Sequence, residues 1–112
     1  MRYFEVQTDR LSGPLPESLV HWKMLDALLL NYNGGLEGSL DILQNNQLLG
    51  TIFVNDNKFN GTLDFLPSLS NLQWFEATGN YLGGTLPEEI TALKYLRKRP
   101  FLLLPVCILL AF

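Results

Sequence analysis

The sequence predicts an α/β solenoid: one right-handed stack of about four coils, with a parallel sheet of short inner strands and short helical turns on the outer side. Three observations carry this. A template of apolar, two variable, apolar, one variable, apolar, two variable, Asn recurs with coils starting near residues 1, 25, 49 and 72. A second block, apolar-x-Gly-x-Leu, follows in phase each time. Successive repeats start 24, 24 and 23 residues apart, and a fixed period in this range marks units that bury their apolar faces only by stacking on one another.

The template is met by Met1, Phe4, Val6 and Asp9, by Leu25, Leu28, Leu30 and Asn33, by Leu49, Ile52, Val54 and Asn57, and by Leu72, Phe75, Ala77 and Asn80. Its apolar-x-apolar centre alternates with period two, which predicts strands near 4–6, 28–30, 52–54 and 75–77 whose template residues point inward. The turn residue is an amide in three coils, carrying both donors and an acceptor. Buried between coils, Asn33, Asn57 and Asn80 can bond backbone groups of their own and the adjacent coil. Asp9, an acceptor only when ionised, suits an end coil.

The second block reads Leu11-Ser12-Gly13-Pro14-Leu15, Leu36-Glu37-Gly38-Ser39-Leu40, Phe59-Asn60-Gly61-Thr62-Leu63 and Leu82-Gly83-Gly84-Thr85-Leu86. Its glycine allows backbone conformations or close approaches that a Cβ obstructs. Beyond it, Leu15, Leu19, Trp22 and Leu25 return the outer side to the core, and the spacing of Leu63, Leu66, Leu69 and Leu72 predicts a 3₁₀ turn. The second coil departs from the pattern. It has an extra glycine (Asn33-Gly34-Gly35-Leu36), and Asn46 stands where an inward apolar residue is expected, so its outer side is predicted to be irregular.

These motifs resemble the leucine-rich repeat family, and the Leu-x-Gly-x-Leu-Pro form (Leu11 to Pro16, Leu82 to Pro87) is similar to its plant-type, receptor-like subclass. The resemblance covers residues 1–96, read as the repeat array, with 97–112 as a basic and then apolar tail. It implies a non-catalytic module that binds a protein or peptide on the concave face, located outside the cell or at the plasma membrane. The alternative is a structural remnant or fragment of a longer solenoid, or of a receptor kinase, without independent activity. Neither end of the array shows a polar cap, which favours a piece of something longer.

Composition and charge narrow the function further. Residues 1–93 carry 4 Lys/Arg against 11 Asp/Glu, so the body is acidic and no nucleic-acid partner is expected. His21 and Cys107 are the only His and Cys, which leaves neither a disulfide nor a multi-cysteine zinc site. Catalytic residues, cofactors and metals are therefore all expected to be none. His21 beside Trp22 and the Glu88-Glu89 pair read as surface groups on the convex side.

The outward strand positions are where recognition would lie, on a rigid scaffold. In coil order they are Tyr3, Ala27, Thr51 and Trp74, then Glu5, Leu29, Phe53 and Glu76, then Gln7, Asn31, Asn55 and Thr78. The candidate ligand-binding set is Tyr3, Glu5, Leu29, Asn31, Phe53, Asn55, Trp74 and Glu76: an apolar centre, acidic ends and an amide row beside it. Such an arrangement has the anatomy of an interface patch.

Asn60-Gly61-Thr62 is an N-glycosylation acceptor. The N-terminal residues contain no apolar run of signal-peptide length. At the other end Phe101 to Phe112 is apolar but, at about 18 Å as a helix, too short for a hydrocarbon core of about 30 Å. The tail stands as a truncated membrane segment, an apolar flap over the last coil, or sequence from outside the true reading frame. Membrane association would run through it or through a segment beyond this chain.

Overall fold

The computed structural model describes residues 2–6 and 10–83. Four short strands, β1 (Tyr3–Glu5), β3 (Ala27–Leu29), β5 (Thr51–Phe53) and β7 (Trp74–Glu76), form one parallel sheet in the order β1-β3-β5-β7. Tyr3 pairs with Ala27, Ala27 with Thr51 and Thr51 with Trp74, so the sequence period sets the register directly. The strands begin one residue earlier than the apolar pattern predicts. The ladder nevertheless continues past them, since the Leu30 N–H donates to Phe53 O at 2.7 Å and the Val54 N–H to Glu76 O at 2.9 Å.

A second sheet lies beside the one that the sequence predicts. The Gly-containing blocks form β2 (Ser12–Pro14), β4 (Gly35–Ser39) and β6 (Lys58–Asn60), a second parallel sheet in the order β2-β4-β6. Gly13, Gly38 and Gly61 hold φ of +88°, +86° and +83°. That left-handed backbone is open to glycine without Cβ strain, which is why the residue recurs once per coil.

The outer side is closed by 3₁₀ turns at Glu17–His21, Asp41–Asn45 and Leu66–Ser68. Each ends in the same way: the Trp22, Asn46 and Leu69 N–H groups donate to Leu19, Leu43 and Leu66 carbonyls at 2.9–3.0 Å. One apolar residue of every turn, Leu19, Leu43 or Leu66, is fully buried. They join Leu25, Leu28, Leu49, Ile52, Val54, Phe59, Leu63, Leu72 and Phe75 in one continuous core. Phe4 and Trp22, half-buried in the first coil, meet with ring centroids 5.4 Å apart.

The turn asparagines link neighbouring coils. Asn80 Nδ2 donates to Val54 O (2.8 Å), Ala77 O (3.2 Å) and Thr78 O (3.3 Å), while its Oδ1 accepts the Phe59 N–H at 3.0 Å. Asn33 bridges likewise, from Nδ2 to Val6 O and Leu30 O and from the Leu11 N–H to Oδ1. Asn57 donates to Leu30 O, Val54 O and Asn55 O, but its buried Oδ1 has no partner. Leu36 is the residue of the second coil equivalent to Leu11 and Phe59. It follows the extra glycine, and its N–H does not bond Asn57 Oδ1. Asp9 lies outside the described residues.

The outer side of the second coil is regular, contrary to the sequence expectation. Asn46 is fully buried, and its Nδ2 donates to Leu19 O at 2.9 Å and Trp22 O at 3.0 Å, across to the turn of the first coil. An amide here adds a bracket between coils where a leucine would add only apolar contact.

Candidate functional site

The outward face of the four-stranded sheet brings most of the sequence-predicted residues into adjacent columns. Register places Leu29 beside Phe53 and Phe53 beside Glu76. Phe53 and Trp74 pack edge to face, with centroids 6.3 Å apart and planes at 68°. That is the geometry their ring quadrupoles favour. Leu29, Phe53, Trp74 and Glu76 are half-buried, and between the last two strands a hollow of about 240 Å³ is lined by Thr51, Phe53, Gln73 and Trp74.

The two acidic ends differ. At the first strand Tyr3 and Glu5 are exposed, and the Tyr3 hydroxyl donates to Glu5 Oε2 at 2.9 Å. That bond raises the Tyr3 phenol above its usual pKa, because ionisation would set two anions against each other. At the last strand Glu76 accepts the Trp74 indole N–H at 2.7 Å on Oε2 and the Asn55 amide at 2.9 Å on Oε1. Both donors are neutral.

The amide row is placed differently from the exposed residues. Asn31 and Asn55 are only 7% and 6% exposed. Asn31 Oδ1 accepts the Asn55 N–H at 2.7 Å, and Asn55 Oδ1 accepts both the Thr78 N–H at 2.7 Å and the Thr78 hydroxyl at 2.9 Å. These side chains stitch one coil to the next, and through Asn55 they also orient Glu76.

A second hollow, about 740 Å³, runs along the edge where the strands begin, lined by Arg2, Met24, Asp26, Leu48, Gly50, Thr51, Asn71 and Gln73. It shares Thr51 and Gln73 with the smaller one. Arg2 and Asp26 form an exposed ion pair there at 3.1 Å, and Met24 is 56% exposed. The repeat template does not point to this rim. Its signal was the column Met24, Leu48 and Asn71, one position before each template start.

Asn60 is exposed at the end of β6. Among the described residues no three His, Cys, Asp or Glu side chains gather as a metal site, and no helix is long and apolar enough to cross a membrane. Glu88, Glu89 and the tail lie outside the described residues.

Stacked coils, two parallel sheets and a ladder of turn asparagines define a leucine-rich repeat solenoid. No protein-family profile matches the chain. Receptor-like protein 39 of Arabidopsis thaliana is 35% identical over 88 residues, spanning 75% of this chain and 10% of that protein. Among solved structures, PEPR1-AtPEP1 is similar with a TM-score of 0.69 at 31% identity, covering 76% of this chain and 12% of that one. The plant peptide hormone receptor RGFR1 in complex with RGF2 has a TM-score of 0.76 at 23% identity, covering 87% and 16%. The chain is a leucine-rich repeat protein of the plant, receptor-like type. It spans about a tenth of the length of the curated relatives it matches.

Proposed function

We propose that the chain is a non-catalytic binding module that takes a protein or peptide on the outward face of the four-stranded sheet. The observation that carries this reading is the Leu29, Phe53 and Trp74 cluster, half-buried and contiguous beside a hollow. Scattered exposed apolar residues need no explanation, but a contiguous set on a rigid sheet does. PEPR1, 31% identical to this chain, was solved with AtPEP1, which supports a protein or peptide as the ligand class. Tyr3, Glu5, Leu29, Phe53, Trp74 and Glu76 make the contacts, while Asn31 and Asn55 hold the sheet and position Glu76. The module acts outside the cell or at the plasma membrane, a reading that the receptor-like names of its relatives support.

The test begins with displayed random peptides selected on the whole chain. Phe53→Ala or Trp74→Ala each weaken the selected peptides by about 2 kcal/mol, as aromatic anchors at an interface centre do. Gln44→Ala, on the outer turn, leaves affinity unchanged. Retained affinity in both aromatic variants, at matched folding, overturns the proposal.

A further inference from the structure

We propose that Glu76, together with the Trp74 ring, forms a subsite for a lysine or arginine side chain of the bound peptide, with an adjacent aliphatic residue seated in the hollow between Phe53 and Trp74. This rests on the binding function proposed above and assigns the chemistry of its ligand.

The first argument is the state of the carboxylate. Glu76 is half-buried, and both its oxygens are fixed by neutral donors, Trp74 Nε1–H and Asn55 Nδ2–H. Neutral donors orient a carboxylate without cancelling its charge. Among the described residues the ion pair is Arg2 with Asp26, in the first two coils, and no cation stands within ion-pair distance of Glu76. Each oxygen still has a lone pair to offer. A carboxylate that is partly desolvated, held still and uncompensated is poised for a cation, because little side-chain ordering remains to oppose binding.

The second argument is the aromatic neighbour. The indole N–H bond to Glu76 fixes the Trp74 ring, and the edge-on contact with Phe53 supports it from the next strand. The ring is thereby held beside the carboxylate in one orientation, as a wall for the side chain that carries the cation. Lys and Arg also carry long apolar stems that suit a partly apolar wall. The third argument is field. Residues 1–93 hold 11 Asp/Glu against 4 Lys/Arg, with the other four cations at Lys94, Arg97, Lys98 and Arg99, so this part of the chain favours cationic over acidic segments. Tyr3 and Glu5 at the opposite edge do not offer the same site, since the phenol there donates to the acid and both are exposed.

The experiment uses the whole chain and peptides selected on it from a random library. The selected pool is expected to be enriched in Lys or Arg next to an aliphatic residue. Replacing the arginine of a selected peptide by its neutral isostere citrulline should weaken binding about tenfold on the wild-type chain, the scale of one partly desolvated cation contact. On Glu76→Gln the same exchange should change affinity less than twofold. The citrulline comparison needs no variant to fold, and the melting temperature of Glu76→Gln reports whether that variant is intact. A pool sensitive to Phe53→Ala but without cation enrichment, or indifferent to citrulline, overturns the subsite and leaves the binding face standing. A pool insensitive to Phe53→Ala, or no pool at all, overturns the binding face and the subsite with it.

Discussion

Replacing Asn80 by alanine should destabilise the fold more than replacing Asn57, although both occupy the same turn position. The difference follows from what each substitution leaves behind. Without Asn57, Leu30 O keeps Asn33 Nδ2, Val54 O keeps Asn80 Nδ2, and Asn55 O keeps the Tyr32 N–H. The substitution also removes a buried Oδ1 that has no partner. Its cost should therefore sit near one net hydrogen bond, about 1 kcal/mol. Without Asn80, the N–H of Phe59, a fully buried residue, loses its acceptor and Ala77 O loses its donor. Stranding such groups adds about 1–3 kcal/mol, for a total of about 2–4 kcal/mol. Urea unfolding followed by far-ultraviolet circular dichroism measures both, and amide exchange of Phe59 gives a local readout. Phe59 protection should fall in Asn80→Ala and persist in Asn57→Ala. Equal losses, or a larger one for Asn57→Ala, would refute the reasoning.

Three further changes test the second and fourth coils. Asn46→Leu should leave stability within about 1 kcal/mol of wild type or raise it, because Leu19 O and Trp22 O keep the Trp22 and Leu25 N–H groups and an unpartnered buried Oδ1 disappears; a melt showing a loss of more than about 2 kcal/mol contradicts this. Deleting Gly34 gives up its N–H bond to Asp56 O and should return the Leu36 N–H to Asn57 Oδ1, so stability in urea titration should stay within about 1 kcal/mol of wild type, whereas a loss above about 2 kcal/mol would show that no bond was regained. Gly79→Ala should cost at least about 1–2 kcal/mol, since φ is +73° and a Cβ would collide with the Asp56 carboxylate; adding Asp56→Gly should recover part of it, and no recovery would exclude the collision.

The inner strands were legible because alternation of period two leaves one arrangement that buries Leu28, Ile52 and Phe75 together. The turn asparagines were legible because an amide recurring beside buried backbone has few other uses. The second sheet was not. Ser12-Gly13-Pro14 and Gly35 to Ser39 have little intrinsic strand preference, and they become strands only because stacking brings successive coils into ladder distance. Asn46 looked like a defect, since nothing local reveals that carbonyls of the preceding turn wait opposite it. Asn31 and Asn55 were expected on the outward side, yet both are buried, because each amide is engaged by the next coil. The rim hollow was not legible either, because its residues occupy variable positions that carry no repeat signal.

The most direct test of the central claim, that the outward sheet face recognises a peptide, is a chemical-shift map of the isotopically labelled chain titrated with a peptide selected on it. The Trp74 indole N–H and the backbone amides of Thr51 to Phe53 and Trp74 to Glu76 should shift together and saturate at one affinity. Amides of the turns Glu17–His21 and Asp41–Asn45 should stay in place. Saturable shifts confined to those outer turns, with the Trp74 indole unmoved, would contradict the account.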